Sequence, residues 1–307
     1  MIITVTMNPA IDKTVDIDCM ERGGLNRIQH VELDAGGKGI NVSKTIKSLG
    51  GNSLATGFLG GKAGETIEGV LKEWEIQTDF VYVDGETRTN LKVVEKQGDV
   101  TELNEPGPVV TEAQVEELLA KLESYANEET LFVLAGSIPK GVNKNIYGVI
   151  TERVHAKGAK VLMDADGELF VQALKAHPDM IKPNRVELEA YYHLDDSASE
   201  SELENMGRSL VEEGTELAVI SMGRQGAMFL TKDRTIRCPG LNVKAHSTVG
   251  AGDAMVAALA YSWNVKSGLE DTIRLGMATS AGAVTTIGTK PPTRDVVEKL
   301  AAQVVIR

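Results

Sequence analysis

Residues 246–263 run HSTVGAGDAMVAALAYSW, and the chemistry sits in Gly250, Ala251, Gly252 and Asp253. From Asp253 onward the stretch is apolar almost all round, which predicts a buried helix. A helix N-terminus leaves N–H donors unpaired and carries partial positive charge. Glycines just before it let a phosphate approach the backbone closely, forming an anion hole. The same field favours the ionised form of Asp253. An ionised carboxylate beside a transferring phosphoryl group can accept the proton of an attacking hydroxyl. Taken alone, the stretch is equally a glycine loop with Asp253 as a helix-start acid. The commoner phosphate loop, GxxxxGK[ST], is absent: Ala63 follows Gly61-Lys62, and Thr56 stands where the first glycine belongs.

Four further stretches bear polar groups or glycines at turns. NPAID places Asp12 just after a first strand, and DAGGKGINVSKTIKSLG (34–50) puts Gly36, Gly37 and Gly39 ahead of a helix with Asn41 in its first turn. Asp12 and Asn41 suit a polyol, whose hydroxyls need acceptors and donors together; as plain structure, GGKG is a loop and Asn41 a cap. In IKPNRVELEAY (181–191), Asn184 and Glu187 have the spacing of a helix capping box. They also suit water around Mg²⁺ near phosphates. ISMGRQGAMFL (220–230) predicts a strand, a glycine turn and a returning strand, which fits a hairpin beside a nucleotide or any other hairpin. The histidines at 30, 155, 177, 193 and 246 share no spacing, which argues against a metal or histidine mechanism. Trp74 and Trp263 are assigned to the core.

The elements that must hold these groups alternate. β-branched runs at 2–7, 53–59, 78–83, 130–136, 159–165 and 217–223 are interleaved with helical patterns such as 39–49, 64–73, 111–125, 143–156 and 199–213. This predicts βαβ units and a mostly parallel sheet covered on both faces. Ligands then sit beyond the carboxyl ends of the strands, where the glycine-rich stretches fall. Segments at about 12–18, 29–36 and 86–104 show period-two alternation, with a hairpin turn at Gln97, Gly98 and Asp99. They predict a small β-sheet lid on a single α/β domain spanning 1–307, a lid that closes over the site or pairs with a second subunit.

Bulk properties narrow the classes. The chain has 307 residues, 42% hydrophobic and 25% charged, as expected of a globular domain. Its net charge of −12, with acids and bases interspersed, argues against nucleic-acid binding but leaves room for an anionic substrate held by a few local cations. Cys19 and Cys238 are expected to be free thiols. No basic segment precedes an apolar run at the start, and no run approaches the ~20 residues of a spanning helix. A cytoplasmic protein without a membrane partner is the expectation.

Taken in order, GGKGIN (36–41), GSIP (136–139), KPN-x-x-E (182–187), SMGRQGA (221–227) and STVGAGD (247–253) resemble the ribokinase-like sugar kinases of the phosphofructokinase-B branch. The resemblance spans essentially the whole chain, and the pairing of GGKGIN with TVGAGD is its most specific part. It implies a ribokinase-like, Rossmann-type three-layer α/β fold with a β lid, and ATP-dependent phosphorylation with Mg²⁺. It makes Asp253 the base and Gly250, Ala251 and Gly252 the anion hole. Asp12, Gly37 and Asn41 become sugar ligands. Asn184, Ser221, Gly223, Gly226 and Thr248 fall on the ATP side, and Glu187 on the Mg²⁺ through water. MNPAID, LNR (25–27) and GETRTNLKV (85–93) look most like the kinases acting on fructose 1-phosphate. Tagatose 6-phosphate and fructose 6-phosphate remain alternatives, and a non-catalytic sugar-phosphate sensor is a further one. A phosphorylated substrate needs cations, for which Arg88 comes first, then Arg27 and Lys38; Ser137 can donate to the same phosphate. For Arg27 a solvated loop charge is the alternative. Ala254 departs from the serine that many relatives carry. A homodimer through the lid sheet is also implied.

Overall fold

The computed structural model describes residues 1–194, 198–246, 248–286 and 288–306. The chain starts with β1 (Ile2–Thr6), buried throughout, then leaves the main sheet for two strands, β2 (Ala10–Ile17) and β3 (His30–Gly36). It returns through α1 (Lys38–Ser48), β4 (Leu54–Leu59) and α2 (Gly61–Glu73). TDFVYV breaks into two short strands, β5 (Gln77–Thr78) and β6 (Val81–Tyr82), rather than forming one. The reason is Asp79: its carboxylate accepts from the Tyr125 hydroxyl and pairs with Lys121, while its carbonyl accepts from Thr56 Oγ1. Its N–H still donates to Ala55 O, so pairing stops at its carbonyl, which is taken by the Thr56 hydroxyl.

The chain leaves again for β7 (Arg88–Glu95) and β8 (Val100–Asn104), joined by a turn in which Gly98 has φ 101°. Alternating helices and strands follow: α3 (Glu112–Tyr125), β9 (Leu131–Ala135), α4 (Ile146–His155), β10 (Lys160–Asp164), α5 (Gly167–Leu174), β11 (Met180–Ile181), α6 (Arg185–Tyr191), α7 (Glu200–Glu212) and β12 (Leu217–Ser221). The hairpin β13 (Ala227–Leu230) and β14 (Thr235–Cys238) leads into α8 (Ala251–Asn264), α9 (Leu269–Ala283) and α10 (Arg294–Ala301).

Among the described residues the large sheet runs β14-β13-β12-β11-β10-β9-β1-β4-β5, with β6 beside β4. It is parallel from β12 to β5, and antiparallel only at the β12–β13–β14 edge. Side chains alternate across it, as pleating demands. Ile3, Val5, Phe132, Leu134, Val161 and Met163 pack with α3–α7 on one face. Ile2, Leu131, Val133 and Leu162 pack with α1, α8 and α9 on the other. Burial on both faces explains why these strands are continuous apolar runs. Trp74 and Trp263 pack against core clusters, and both cysteines are free thiols.

The small separate sheet has the order β3-β2-β7-β8. One face carries Asp12, Thr14, Asn90, Lys92, Glu102 and Asn104, all of which line a cleft shared with the large sheet. The opposite face carries Val15, Val93, Val31, Leu33 and Leu103. No helix among the described residues is long and apolar enough to cross a membrane.

Candidate active site

The carboxyl ends of β1, β9 and β10 and the polar face of the small sheet enclose a cleft of about 440 Å³. Asp12 stands on β2, held by Asn90 Nδ2 at 3.0 Å. It fits only because Gly36 lacks a side chain: a Cβ there would meet Asp12 Oδ2 at 2.0 Å. Gly37 has φ 111°, and a Cβ would press Thr6; it opens α1 without a side-chain cap and delivers Lys38 and Asn41 to the cleft. Asn41 Nδ2 donates to Asp253 Oδ2 at 2.8 Å, joining the first turns of α1 and α8. Asn41 Oδ1, Asn90 Oδ1, Asn8 Oδ1 and Thr6 Oγ1 are buried without hydrogen-bond partners. Such atoms are rare in folded proteins, and all four belong to residues that line the cleft.

The stretch read as an anion hole forms the start of α8. Gly250, its N-cap, adopts φ 82° and makes no side-chain cap, so the first-turn N–H groups face the cleft uncapped. Asp253 follows in that turn, 8% exposed. Contrary to the expectation from the helix field alone, its carboxyl is pushed up to about 6. Burial is the largest cause, and the neighbouring Asp164 carboxylate adds to it; Asn41, Lys38 and Lys182 only partly offset them. Asp253 is still ionised at neutral pH, with a pKa close to the range that suits a general base. We expect kcat at saturating substrates to fall tenfold per pH unit below about 6 and to level off above it. Saturation removes the titration of a substrate phosphate, which also lies near 6. A flat kcat between pH 5 and 8 would mean that bound substrates lower the Asp253 carboxyl or that another group takes the proton.

Beneath Asp253 lies a charge cluster that spacing does not reveal. Asp164, at the end of β10, is 2% exposed. Its Oδ1 lies 3.2 Å from Lys182 Nζ and 3.6 Å from Lys38 Nζ, ion pairs that do not close into hydrogen bonds. Burial pushes Asp164 up, and the two ammoniums more than reverse it, so it is held below the usual carboxylate range. Lys182 in turn lies against Gly252, where a Cβ would stand 3.3 Å from its Nζ. Positive charge thus backs the first turn of α8.

Arg88 opens β7 and lines the cleft, donating from Nε and Nη2 to Asn8 O and from Nη1 to Glu105 O. Ser137 lines the same cleft at the end of β9. Arg27 does not reach it. Its exposed loop closes on itself through Glu21 and Asn26, so the guanidinium stands outside the cleft of its own chain.

The remaining expected residues form a second, adjoining region. Asn184 and Glu187 form a reciprocal capping box on α6, and Asn184 bridges to Ser221 at the end of β12. Glu187 is pushed up by burial, against the pull of the Asn184 N–H and Lys182. Gly223 (φ 55°) and Gly226 (φ 106°) shape the β12–β13 turn; at Gly226 a Cβ would strike Cys238 O. Thr248 is exposed two residues before Gly250, while Ser247 of the same stretch lies outside the described residues.

Residues 5–295 match the pfkB family carbohydrate kinase domain. The chain belongs to the pfkB family of carbohydrate kinases. The 1-phosphofructokinase of Bacillus subtilis (strain 168) is 35% identical over 304 residues, covering 99% of this chain and 98% of that protein. The D-tagatose-1-phosphate kinase of Bacillus licheniformis is 33% identical over 285 residues, covering 93% and 92%. The crystal structure of phosphofructokinase-2 from Escherichia coli in complex with substrates and products superposes with a TM-score of 0.93 at 28% identity, covering 98% of both chains. ATP is accordingly the co-substrate of this pfkB kinase, and its acceptor is a sugar phosphate.

Proposed function

We propose that the protein transfers the γ-phosphoryl group of ATP to the C6 hydroxyl of fructose 1-phosphate, giving fructose 1,6-bisphosphate and ADP. The observation that carries this reading is the placement of Asp253 between two unlike regions. On one side are uncapped N–H groups, and on the other a polyol-sized cleft with cations at its far end. Asp12, Asn41 and Asn90 hold ring hydroxyls, while Arg88 and Ser137 hold the substrate's phosphate. Asn41 fixes one oxygen of Asp253 and leaves the other free to take the C6 proton. As that oxygen bonds to the γ-phosphorus, the bond to the β–γ bridging oxygen breaks, and ADP leaves with the electron pair. The N–H groups of Gly250, Ala251, Gly252 and Asp253, backed by Lys182 and Lys38, hold the charge that develops.

Asn184, Ser221, Gly223, Gly226 and Thr248 form the ATP side. Among the described residues no group of three or more His, Cys, Asp or Glu side chains could hold a metal alone. That suits Mg²⁺, which keeps several waters and binds through one or two carboxylates plus substrate phosphates. Glu187, with its raised carboxyl, would hold it through water, and the ion would neutralise charge on the β- and γ-oxygens.

The small sheet acts as a lid that excludes water and so suppresses ATP hydrolysis. Its outer face exposes Val31 (45%), Leu33 (64%) and Leu103 (54%), an apolar surface suited to a homodimer. A supply of ATP favours a cytoplasmic location.

An ADP-release assay with Mg²⁺–ATP tests the reading by ranking kcat/KM for fructose 1-phosphate, tagatose 1-phosphate, fructose 6-phosphate, tagatose 6-phosphate and fructose. Fructose 1-phosphate is expected to lead. Arg88→Ala should raise its KM about 10–100-fold, the scale of one lost charge-assisted hydrogen bond. A lead for free fructose, or an unchanged KM in Arg88→Ala, would overturn the substrate assignment.

A further inference from the structure

We infer that Lys92 is a second cation for the substrate's phosphate and that Glu102 is its exchangeable counter-ion, released when the phosphosugar binds. The inference rests on the phosphosugar reading of the cleft. Lys92 and Glu102 are directly opposed on β7 and β8, and both line the cleft. Lys92 Nζ lies 3.3 Å from Glu102 Oε1, and their side chains are 25% and 48% exposed. A lysine three-quarters withdrawn from water is thus paired with a carboxylate half in it. Such half-exposed pairs hold weakly, so an incoming phosphate dianion competes well for the ammonium.

The other cations of the cleft are already engaged. Lys38 shares the buried Asp164 with Lys182, and Arg88 spends three donor groups on the carbonyls of Asn8 and Glu105. Among the described residues of the cleft, Lys92 is the cation whose counter-ion is a half-exposed carboxylate. Its position fits the sugar's end groups. Asp12 pairs across β2 and β7 with Asn90, and Arg88 and Lys92 stand on either side of Asn90 on the same face. The Lys92 ammonium also offsets part of the rise that burial imposes on the Asp12 carboxyl, which places it in the field of the hydroxyl-binding group. Arg88 and Lys92 therefore share with Asn90 the strand face that looks into the cleft. The pair distinguishes a phosphorylated from an unphosphorylated ketose, since only the former displaces Glu102.

The test is steady-state kinetics at pH 8, with free fructose as a competitive inhibitor against fructose 1-phosphate. Lys92→Met is expected to raise KM for fructose 1-phosphate about 10–100-fold, to leave kcat within about threefold, and to leave the fructose Ki within about twofold. Glu102→Gln frees the ammonium without touching it and should lower the same KM about two- to fivefold. An unchanged KM in either variant overturns the inference. So does a fructose Ki that rises as much as the KM in Lys92→Met, because Lys92 would then hold the ring. Wild-type turnover of fructose 1-phosphate with Lys92→Met unchanged sinks only this inference; no wild-type turnover of any sugar phosphate sinks the phosphosugar reading as well.

Discussion

Asp253→Asn should lower kcat by at least about 10²–10⁴, the contribution typical of general-base catalysis, while both KM values stay within a few-fold. Asparagine keeps the shape and can still accept from Asn41 Nδ2, so binding geometry survives and proton acceptance does not. The same variant should be more stable than wild type. A buried carboxyl raised from 3.8 to about 6 binds its proton more tightly in the folded state. Its contribution to stability is therefore complete below its unfolded pKa and lost as pH rises through about 6. At pH 8 the ionised group costs on the order of 1–3 kcal/mol, which neutral asparagine restores. Urea unfolding and kinetics on one preparation give both readouts. A variant that is inactive and also less stable would mean that activity was lost with the fold. Near-normal kcat would mean that another group takes the proton.

That opposition of function and stability was only half legible in the sequence. Glycines ahead of a buried apolar helix suit an anion hole, because such a backbone leaves uncapped N–H groups where a phosphate can reach them, but a plain glycine loop reads the same. The helix field on Asp253 followed from that, but its burial and the carboxylate of Asp164 did not. Asp164 and Lys182 end neighbouring strands, β10 and β11, and meet only because those strands pair in the sheet. No spacing encodes such a meeting. The small sheet shows the same division. Period-two alternation reveals which of Arg88, Asn90 and Lys92 share a face, and the structure alone shows that this face looks into the cleft. Arg27 carries no pattern, since an arginine in an exposed loop has the same sequence signature facing in or out. In TDFVYV the β-branched and aromatic residues promised one strand, and the tertiary partners of Asp79 broke it in two.

Asp164→Asn should have the second largest effect, and it separates burial from charge as the source of the Asp253 shift. Lys182 is 5% exposed, and Asp164 is its ion-pair partner. Removing the carboxylate takes away the ion-pair partner of a buried ammonium, at a cost of up to about 3–5 kcal/mol, of which Asp253 offsets a part. Lys38, about one-third exposed, can turn toward the cleft and lose less. The cost should shrink in acid. The carboxyl of Asp164 is depressed when folded, so its contribution is present above the unfolded value and lost as pH falls through the folded one. Asp253 also loses the like charge that raises it, and becomes the nearest counter-ion for Lys38 and Lys182. Its pKa must then fall below about 6, moving the acid limb of kcat to lower pH. The plateau should fall as well, because a weaker base accepts the hydroxyl proton less readily. Denaturant midpoints and the kcat–pH profile of Asp164→Asn measure the two effects separately. Lost stability with the limb still near 6 would mean that burial alone sets the pKa of the base. Stability within about 1 kcal/mol of wild type would mean that Asp253 and Glu187, both in the field of Lys182, offset its buried charge in place of Asp164.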